Sequence, residues 1–383
     1  MCCGTILLGL IVTKYKETIM RNILLPFYAR LALTLLAIVL VCVIFSKASN
    51  IFIPLVFALL IAILLYPVNR FFEAKLRLGR VFSPILSVIL FISALFGFVY
   101  FLTLQIIGFA SDFPQLRQRF QMIFDNLQNW LSVKLHITSR QQSDYINRSV
   151  NGMLESVGNS LSNVFVSVTG TLLLTIFVLI FTFFMLYHRK LLMRFVLHLF
   201  RIQDREKVSE VIIETKSMIN AYVLGLVIEM AIVSVVNCTM FLIMDIKYAL
   251  LLGVMAAVLN IIPYLGIYTS IILCMLVTFA NSTWTMALEV GIGLFVVHML
   301  DSNILFPRII GGRVKMNPFI TIIAVIVGEF LWGIPGMFLF IPITGIMKLI
   351  SERVVGMEAW GILIGVEEHP KPVKRIKIEK PEK

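Results

Sequence analysis

The chain alternates between long apolar stretches and short polar segments. About 20 consecutive apolar residues cross a bilayer as one helix, and several stretches here reach or approach that length. They are Leu31–Ser46, Ile51–Val68, Val81–Ile107, Val164–Tyr187, Ile219–Met244, Tyr248–Ala280, Trp284–Phe306 and Pro318–Ile350. The pattern predicts an all-α fold, a polytopic helical membrane protein in which the first two stretches form a hairpin.

Two of the later stretches, Tyr248–Ala280 and Pro318–Ile350, are too long for a single crossing. Each has 33 residues. That is about 50 Å of straight helix, against a hydrocarbon core of ~30 Å. Proline removes a helical N–H and glycine lets the chain turn, so we predict two broken helical hairpins in the C-terminal half, which either cross or re-enter. The breaks are Pro263 with Gly266, and Gly333 with Pro335 and Gly336.

The order of these elements resembles an internal repeat. Each broken hairpin follows one crossing, and the two crossings run in opposite directions. Inverted-topology repeats of secondary transporters have this pattern, and their broken helices form a site near the membrane midplane. One and the same sequence offset aligns Pro263 with Pro335 and Glu229 with Asp301. We therefore predict an inverted repeat.

The segment 108–163, between the third and fourth stretches, has helical periodicity. Asp112 and Pro114 indicate a helix start, and Ser139 with Gln142 indicates a capping box for a second helix. Apolar residues recur at steps of three and four, as at Phe113, Leu116, Phe120, Ile123, Leu127, Trp130 and Leu131. We predict a projecting extracytoplasmic helical arm of two antiparallel helices. Its function is structural in one interpretation and substrate capture in the other.

Composition supports a membrane setting, and the charges indicate its topology. Hydrophobic residues make up 59% of the chain and charged residues 14%, which is too little polar surface for a soluble core. The net charge of +12 would suggest nucleic acid in a soluble domain. However, segments 1–30, 69–80, 188–216, 307–315 and 345–383 hold 26 of the 33 Lys and Arg. The positive-inside rule then places both termini in the cytoplasm, and we expect no nucleic-acid partner.

These patterns divide the chain into seven segments. Met20 is an alternative start, and Asp204–Ser217 is predicted as a separate charged helix along the inner membrane surface. The segments are a cytoplasmic N-terminus (1–30), the first three transmembrane helices (31–107), the extracytoplasmic arm (108–163), the fourth transmembrane helix (164–187), a basic cytoplasmic segment (188–218), the core with two broken hairpins (219–350) and a basic cytoplasmic tail (351–383).

Motifs for enzyme chemistry are absent from the sequence. It contains no G-x-x-x-x-G-K-[ST], H-E-x-x-H or G-x-S-x-G. The predicted outside segments contain no cysteine, so no disulfide framework is implied. We expect no enzymatic activity, no cofactor and no metal site.

Acidic residues inside apolar stretches are the first candidates for a functional site. A charge at the centre of a membrane helix costs ~2.5 to 3.5 kcal/mol, so such residues usually mark a pathway or a proton relay. Glu229 lies ten residues inside its stretch, and Glu329 is close to the second break. His298 and Asp301 share a helix face and are suited to proton relay. The alternatives are buried polar contacts and, for Asp301, compensation of backbone groups freed before Pro307.

Polar and helix-breaking residues around the two interruptions are candidates for a substrate or ion path. Unwound backbone supplies carbonyl and N–H groups, and asparagine and tyrosine add side-chain ligands. The alternative is a purely structural kink. The candidates are Asn260, Pro263, Tyr264, Gly266, Asn303, Gly333, Pro335 and Gly336. Glu289 and Lys348 lie near the membrane boundary, where we expect them to reach water.

Several motifs in this region resemble the C-terminal pattern of the autoinducer-2 exporter family. They are N-I-I-P-Y-L-G at 260–266, D-S-N-I-L-F-P-R-I-I-G-G at 301–312, N-P-F-I at 317–320, W-G-I-P-G at 332–336 and I-P-I-T-G-I-M-K at 341–348. The order of the earlier elements extends the resemblance over Pro26 to Ser351. The resemblance implies a multi-pass helical protein that exports a small signalling molecule, autoinducer-2, or exchanges sodium for protons.

The residues and the resemblance together predict a secondary transporter that exports a small solute, coupled to protons or sodium. A sodium/proton antiporter is one alternative, and a non-transporting membrane scaffold is another. We expect a bacterial inner-membrane location, anionic lipid at the basic segments and a homo-oligomer built on the exposed apolar stripes.

Overall fold

The structure is a computed structural model that describes residues 26–135, 168–262, 265–309, 316–354 and 356–366. Within these ranges the chain is helical, and only an isolated bridge joins Met316 to Gly365. The helices are α1 (Phe27–Lys47), α2 (Ser49–Ala74), α3 (Phe82–Leu135), α4 (Val168–Tyr187), α5 (Arg189–His198), α6 (Arg205–Ile243), α7 (Ala249–Leu259), α8 (Leu265–Asn281), α9 (Trp284–Leu300), α10 (Phe306–Ile309), α11 (Pro318–Trp332), α12 (Ile334–Ser351) and α13 (Glu358–Ile364). A 3-10 helix (Ile202–Asp204) precedes α6, and a π-helical turn (Asp301–Leu305) joins α9 to α10.

The prediction of an all-α polytopic membrane protein is confirmed. Six helical stretches of the described chain are long and apolar enough to cross a membrane. The chain divides into two compact units, the first ending at Ser49 and the second beginning at Asn50. The first unit contains α1, an apolar helix of 21 residues. The second contains the other helices and all of the site residues described below.

Two helix boundaries differ from the sequence predictions. The predicted helix start at Asp112 is wrong, because α3 runs without a break from the third apolar stretch through Pro114 to Leu135. The predicted separate helix at Asp204–Ser217 is also wrong, since α6 begins at Arg205 and continues into the fifth apolar stretch. In both cases the helical backbone bonds continue across the change from apolar to polar sequence. The second half of the predicted arm, residues 136–163, lies outside the described residues.

Both predicted hairpins are present. The α7–α8 hairpin turns after Asn260, and the α11–α12 hairpin turns at Gly333, whose φ of 63° favours glycine. The first turns of α9 and α11 are capped by Thr283 and Asn317, whose side chains accept backbone N–H groups. The two helices of the second hairpin touch through backbone, since a Cβ on Gly336 would lie 1.9 Å from the Gly328 carbonyl oxygen.

The two hairpins pack against opposite ends of α6. The α7–α8 hairpin shares an apolar cluster with the C-terminal end of α6 and with α9. The α11–α12 hairpin shares a second cluster with the N-terminal half of α6 and with α2. The first cluster consists of Phe241, Ile246, Ala249, Leu252, Ala256, Cys274, Val277, Val290 and Leu294. The second consists of Ile53, Leu60, Met218, Ile219, Tyr222, Val223, Val325, Trp332, Leu339 and Ile341. The middle of α6 lies between them.

The chain after α12 is bound to the start of α6. The Arg353 guanidinium bridges two carboxylates of α6, with Nη1 at 3.2 Å from Glu210 and Nη2 at 2.5 Å from Glu214. The Asn317 N–H, at the start of α11, donates to the Ile364 carbonyl at 2.9 Å. These contacts connect α6, α11 and α13 at one end of the second unit.

The extension of α3 is held to the opposite end of that unit by polar contacts. Lys247 Nζ lies 2.9 Å from Asp112 Oδ2, and the Tyr248 hydroxyl donates to the same oxygen at 2.6 Å. Arg119 donates to the carbonyls of Ala280 and Asn281, the last of α8, which have no partner within that helix. The hydrogen bonds to Asp112 and then to Tyr248 raise the pKa of Lys247.

Replacing Lys247 with methionine is expected to loosen the extension of α3. A raised pKa means that the attraction is complete below the ordinary lysine value of ~10.4 and is lost only as pH rises through the higher folded value. Lys247→Met therefore removes, at neutral pH, an attraction to Asp112 that deprotonation of Lys247 would remove only at strongly alkaline pH. Spin labels at the exposed positions Met122 and Ser282 should report a broader distance distribution. Lys190→Met, which removes another exposed lysine, is the control and should leave the distribution unchanged.

Candidate functional site

Glu229 lies in the middle of α6 and is only 6% exposed. Tyr222, Val233 and Asn237 are also buried, and their spacings of seven, four and eight residues from Glu229 place all of them on one face of the helix. Apolar helices of both hairpins cover this face above and below. The sequence thus places an acid on the buried face of a long apolar helix.

Asp301 approaches Glu229 from the end of α9. It is 3% exposed and begins the π-helical turn, a wider turn that changes the direction of side chains and recurs at functional sites. The carboxyl groups of Glu229 and Asp301 are close enough to share a hydrogen bond. Such a bond requires a proton, because two carboxylates only repel each other.

Asn260 joins the pair from the tip of the first hairpin. Its amide Nδ2 donates to Asp301 Oδ2 at 2.8 Å. Gly266 makes the tip possible, because a Cβ there would lie 1.9 Å from the Leu259 carbonyl oxygen. Three separate elements, α6, the α7–α8 hairpin and the end of α9, therefore supply the polar groups of one cluster.

His298 and small polar side chains surround the pair. His298 Nε2 lies 3.2 Å from the Ser302 hydroxyl, and the ring interacts electrostatically with Asp301. A cavity of about 10 Å³ is lined by Asn237, Asn260, Ser270, His298 and Asp301 together with apolar residues. That volume holds roughly one water molecule or one small ion.

The cluster has polar atoms without partners and no basic counter-ion among the described residues. The ion pairs of the described chain do not include Glu229 or Asp301. One oxygen of each of Glu229, Asp301 and Asn237, and Nδ1 of His298, are buried without a hydrogen bond. An unpaired buried polar atom usually costs about 1–3 kcal/mol, so this arrangement is suited to a proton, a cation or a polar solute.

Glu229, Asn260 and Asp301 lie at a similar depth. Measured along their helices from the turns at the Lys247 end, at ~1.5 Å of rise per residue, they lie roughly 17 to 26 Å deep, inside a ~30 Å hydrocarbon core. Since α7 has 11 residues, it is too short to cross, and we infer that the α7–α8 hairpin is re-entrant. From these helix lengths we infer that the cluster lies inside the membrane, at the tip of a hairpin that enters and leaves from one side.

The other predicted site residues lie away from this cluster or outside the described residues. Glu329 is exposed on α11. Asn303 is exposed, and its amide donates to the Met299 carbonyl at 2.8 Å. Gly333, Pro335 and Gly336 form the tip of the second hairpin and the start of α12. Pro263 and Tyr264 are outside the described residues. Of the boundary residues, Glu289 is exposed and Lys348 pairs with Glu352 at 3.2 Å.

The sequence predictions missed four polar residues near the pair. Tyr222 is buried and interacts with Glu229, and it contacts Phe338 of the second hairpin with ring centroids 6.1 Å apart. Asn237 shares the Glu229 face of α6, so helical spacing alone would have identified both residues. Ser270 and Ser302 could not be singled out from the sequence, because serine is common in membrane helices.

Comparison with known proteins gives one consistent result. The sequence profile described as "AI-2E family transporter" matches residues 33–356. YrrI and YueF of Bacillus subtilis (strain 168), both candidate transport proteins, are 25% and 26% identical over 81% and 89% of this chain, and the matches cover 88% and 97% of their own lengths. The AI-2 transport protein TqsA of Escherichia coli (strain K12) is 24% identical over 83% of this chain and 90% of its own. The buried acids and re-entrant hairpin thus occur in a chain that belongs to the AI-2E family of membrane transporters.

Proposed function

We propose that this transporter moves a small solute out of the cell by secondary transport, with the Glu229 and Asp301 carboxyls as its coupling site. The observation that carries the proposal is the buried carboxyl pair at the tip of a re-entrant hairpin, with no lysine or arginine partner in the described chain. Broken helices that reach the membrane midplane are where secondary transporters bind substrate and ions.

The chemistry of the pair supports coupling to protons or sodium. Two unit charges ~4 Å apart repel by about 4 kcal/mol at an effective dielectric constant of about 20, so loss of the shared proton is costly until a cation replaces it. Carboxylate and amide oxygens from Glu229, Asp301 and Asn260 are suitable ligands for a small hard cation. Proton and sodium then compete for one site.

The same pair supports the inverted repeat. Glu229 and Asp301 are separated by the same sequence offset that aligns Pro263 with Pro335, and their carboxyl groups are close enough to interact. Equivalent residues of two inverted units meet where a pseudo-two-fold axis passes between them. The hairpins, at opposite ends of α6, are then the elements whose rearrangement exposes the pair to each side in turn. Glu329 and the Gly333 turn belong to the second such element.

A sodium/proton antiporter is the second candidate function. The cavity beside the pair, about 10 Å³, is the size of an ion or a water molecule rather than of an organic solute. Autoinducer-2 as the solute rests on the family resemblance and on the name of TqsA. For the membrane, we propose the bacterial inner membrane with both termini in the cytoplasm.

Flux through liposomes tests the proposal. The purified protein is reconstituted with an entrapped pH indicator, and sodium, a pH gradient and autoinducer-2 are applied separately and together. Gradient-driven movement of autoinducer-2 is the expected result. Sodium-dependent pH change without solute movement would favour the antiporter. If neither ions nor solute cross faster than in protein-free liposomes, the transport proposal is wrong and a scaffold function gains support.

A further inference from the structure

A cluster of basic side chains surrounds Tyr66 near the C-terminal end of α2. The Lys216 ammonium of α6 lies 2.9 Å from the centre of the Tyr66 ring, and the Arg189 guanidinium lies 5.4 Å from it. Arg70 and Arg189 are both close enough to repel the Lys216 charge. Two cations from α5 and α6 therefore meet at one aromatic ring of α2, and the Arg70 charge of α2 lies near them.

The carboxylates around this cluster do not neutralise it. Glu73 is the acid that contacts it in the described chain, where Oε2 pairs with Arg189 Nη2 at 2.5 Å and Oε1 accepts from the Asn69 amide at 3.3 Å. The other terminal nitrogen of Arg189, Nη1, is buried without a hydrogen bond. A buried guanidinium N–H without an acceptor is unfavourable, so the cluster is suited to an additional anion.

An apolar groove begins beside the cluster. Tyr66, Pro67, Phe71 and Ala74 line it with the stems of Arg70 and Lys75, and its volume is about 430 Å³. Lys75 Nζ lies 5.3 Å from the centre of the Phe71 ring at the rim. Cations at one side of an open apolar groove match a ligand that has an anionic head and a hydrocarbon chain.

The neighbouring helix indicates the level of a membrane surface. The chain bends by 74° between α4, an apolar helix of 20 residues, and α5, which begins at Arg189. Leu191 and Phe195 of α5, and Leu199 directly after it, are each at least 60% exposed. A helix that leaves a span at a steep angle, with apolar and basic residues, is typical of the lipid headgroup region. The basic cluster at its start lies at the same level.

We propose that Arg70, Arg189 and Lys216 bind the phosphate of an anionic phospholipid, with an acyl chain in the groove along Pro67 and Phe71. The Arg189 Nη1 group supplies a free donor, and the Lys216 and Arg70 charges are neutralised by the phosphate. The lipid connects α2, α5 and α6, three helices that otherwise place like charges together at this point. This binding is independent of solute transport.

Lipid binding to the purified full-length protein in detergent tests the proposal. Phosphatidylglycerol, phosphatidylcholine, the chainless diester glycerophosphoglycerol and inorganic phosphate are titrated by native mass spectrometry or a thermal-shift assay. Phosphatidylglycerol is expected to bind about tenfold more tightly than phosphatidylcholine, since it adds net charge to the same hydrocarbon chains. Equal binding of these two lipids would overturn the proposal. If glycerophosphoglycerol or inorganic phosphate binds as tightly as phosphatidylglycerol, the proposal of a lipid ligand is wrong, and the ligand is a free phosphate ester or phosphate.

Charge-removing variants assign the binding to this cluster. The double variant Arg70→Gln, Lys216→Gln should weaken phosphatidylglycerol binding by about tenfold or more, because two of three phosphate contacts are lost. Lys47→Gln removes an exposed cation two residues before α2 begins, at the other end of that helix, and should change binding less than about twofold. If both variants weaken binding equally, binding depends on the general surface charge, and the assignment of the lipid to this cluster is wrong. Should the double variant not fold, Pro67→Gln, which leaves every cation in place, should reduce binding of the lipid but not of glycerophosphoglycerol.

Discussion

Replacing Glu229 with glutamine is expected to abolish ion-coupled flux while leaving the protein folded. Glutamine keeps the size and hydrogen-bonding reach of the side chain but carries no exchangeable acidic proton and no negative charge. Loss of a positioned proton-transfer group typically reduces rates by about 10² to 10⁴, and we expect a loss in that range. Proton or sodium flux measured in liposomes, alongside thermal stability in detergent, checks both halves of the prediction.

Asp301→Asn should have a similar effect, because in the proposed mechanism the two carboxyls form one proton-binding unit. For the same reason the double variant should lose little more than either single variant, since residues in one coupled network are not additive. Asn260→Asp adds a third carboxyl beside the pair and should raise the cost of emptying the site. Its expected result is slower release of the bound cation, seen as flux that needs a larger gradient.

Glu289→Gln is the matched control for these variants. Glu289 lies on α9, as His298 does, but its side chain is exposed. Its neutralisation should leave flux within about twofold of wild type, as for most exposed charges. Glu329→Gln tests the proposed role of the second hairpin separately. Unchanged flux in Glu229→Gln would contradict the coupling site, whereas unchanged flux in Glu329→Gln alone would confine coupling to the pair.

Gly336→Ala is expected to produce a large loss of stability for a change of one methyl group. The new Cβ would lie 1.9 Å from the Gly328 carbonyl oxygen and 3.0 Å from Trp332 Cβ. Backbone cannot move aside as a flexible side chain can, so α11 and α12 must separate and lose packing along the hairpin. We expect about 3 kcal/mol of destabilisation, the upper part of the range for overpacked cores. Thermal unfolding in detergent measures the change.

Gly97→Ala is the control for this substitution. Gly97 is inside α3, and a Cβ there meets nothing within 4 Å. Alanine has the higher helix propensity, so the control should unfold at the same temperature or be more stable by about 0.5–1 kcal/mol. Equal unfolding temperatures for the two variants would show that the hairpin helices are not in backbone contact.

The apolar pattern predicted the spans and both breaks because membrane helices and their interruptions are local properties. Helix ends outside the membrane were less predictable. The polar sequence after the third stretch suggested a new start at Asp112, but a helix does not end where lipid ends, and α3 continues. In the same way, α6 begins at Arg205 in polar sequence and continues into the fifth apolar stretch without a break. Pro114 is tolerated inside α3 because the backbone carbonyl four residues earlier, which loses its hydrogen bond, lies on an exposed part of that helix.

The candidate site was predictable as a set of residues but not as an arrangement. Membrane depth marked Glu229, the helix face shared with His298 marked Asp301, and the hairpin break marked Asn260. Periodicity along each helix separately does not reveal that these three meet, since their contact depends on tertiary packing. The same limit applies to Glu329, whose depth in the sequence matches that of Glu229 although its side chain is exposed.

The unbroken length of α6 has a mechanical consequence. Its 39 residues carry Glu229 near the middle, the carboxylates that hold Arg353 near one end, and the turn to Lys247 at the other. A continuous helix is stiff over this length, so a tilt of α6 about Glu229 displaces both of its ends. A small tilt produced by the proposed coupling ion at Glu229 would give a larger displacement at the Arg353 and Lys247 contacts. Fluorescent reporters at those contacts would register occupancy of the buried pair from outside the membrane.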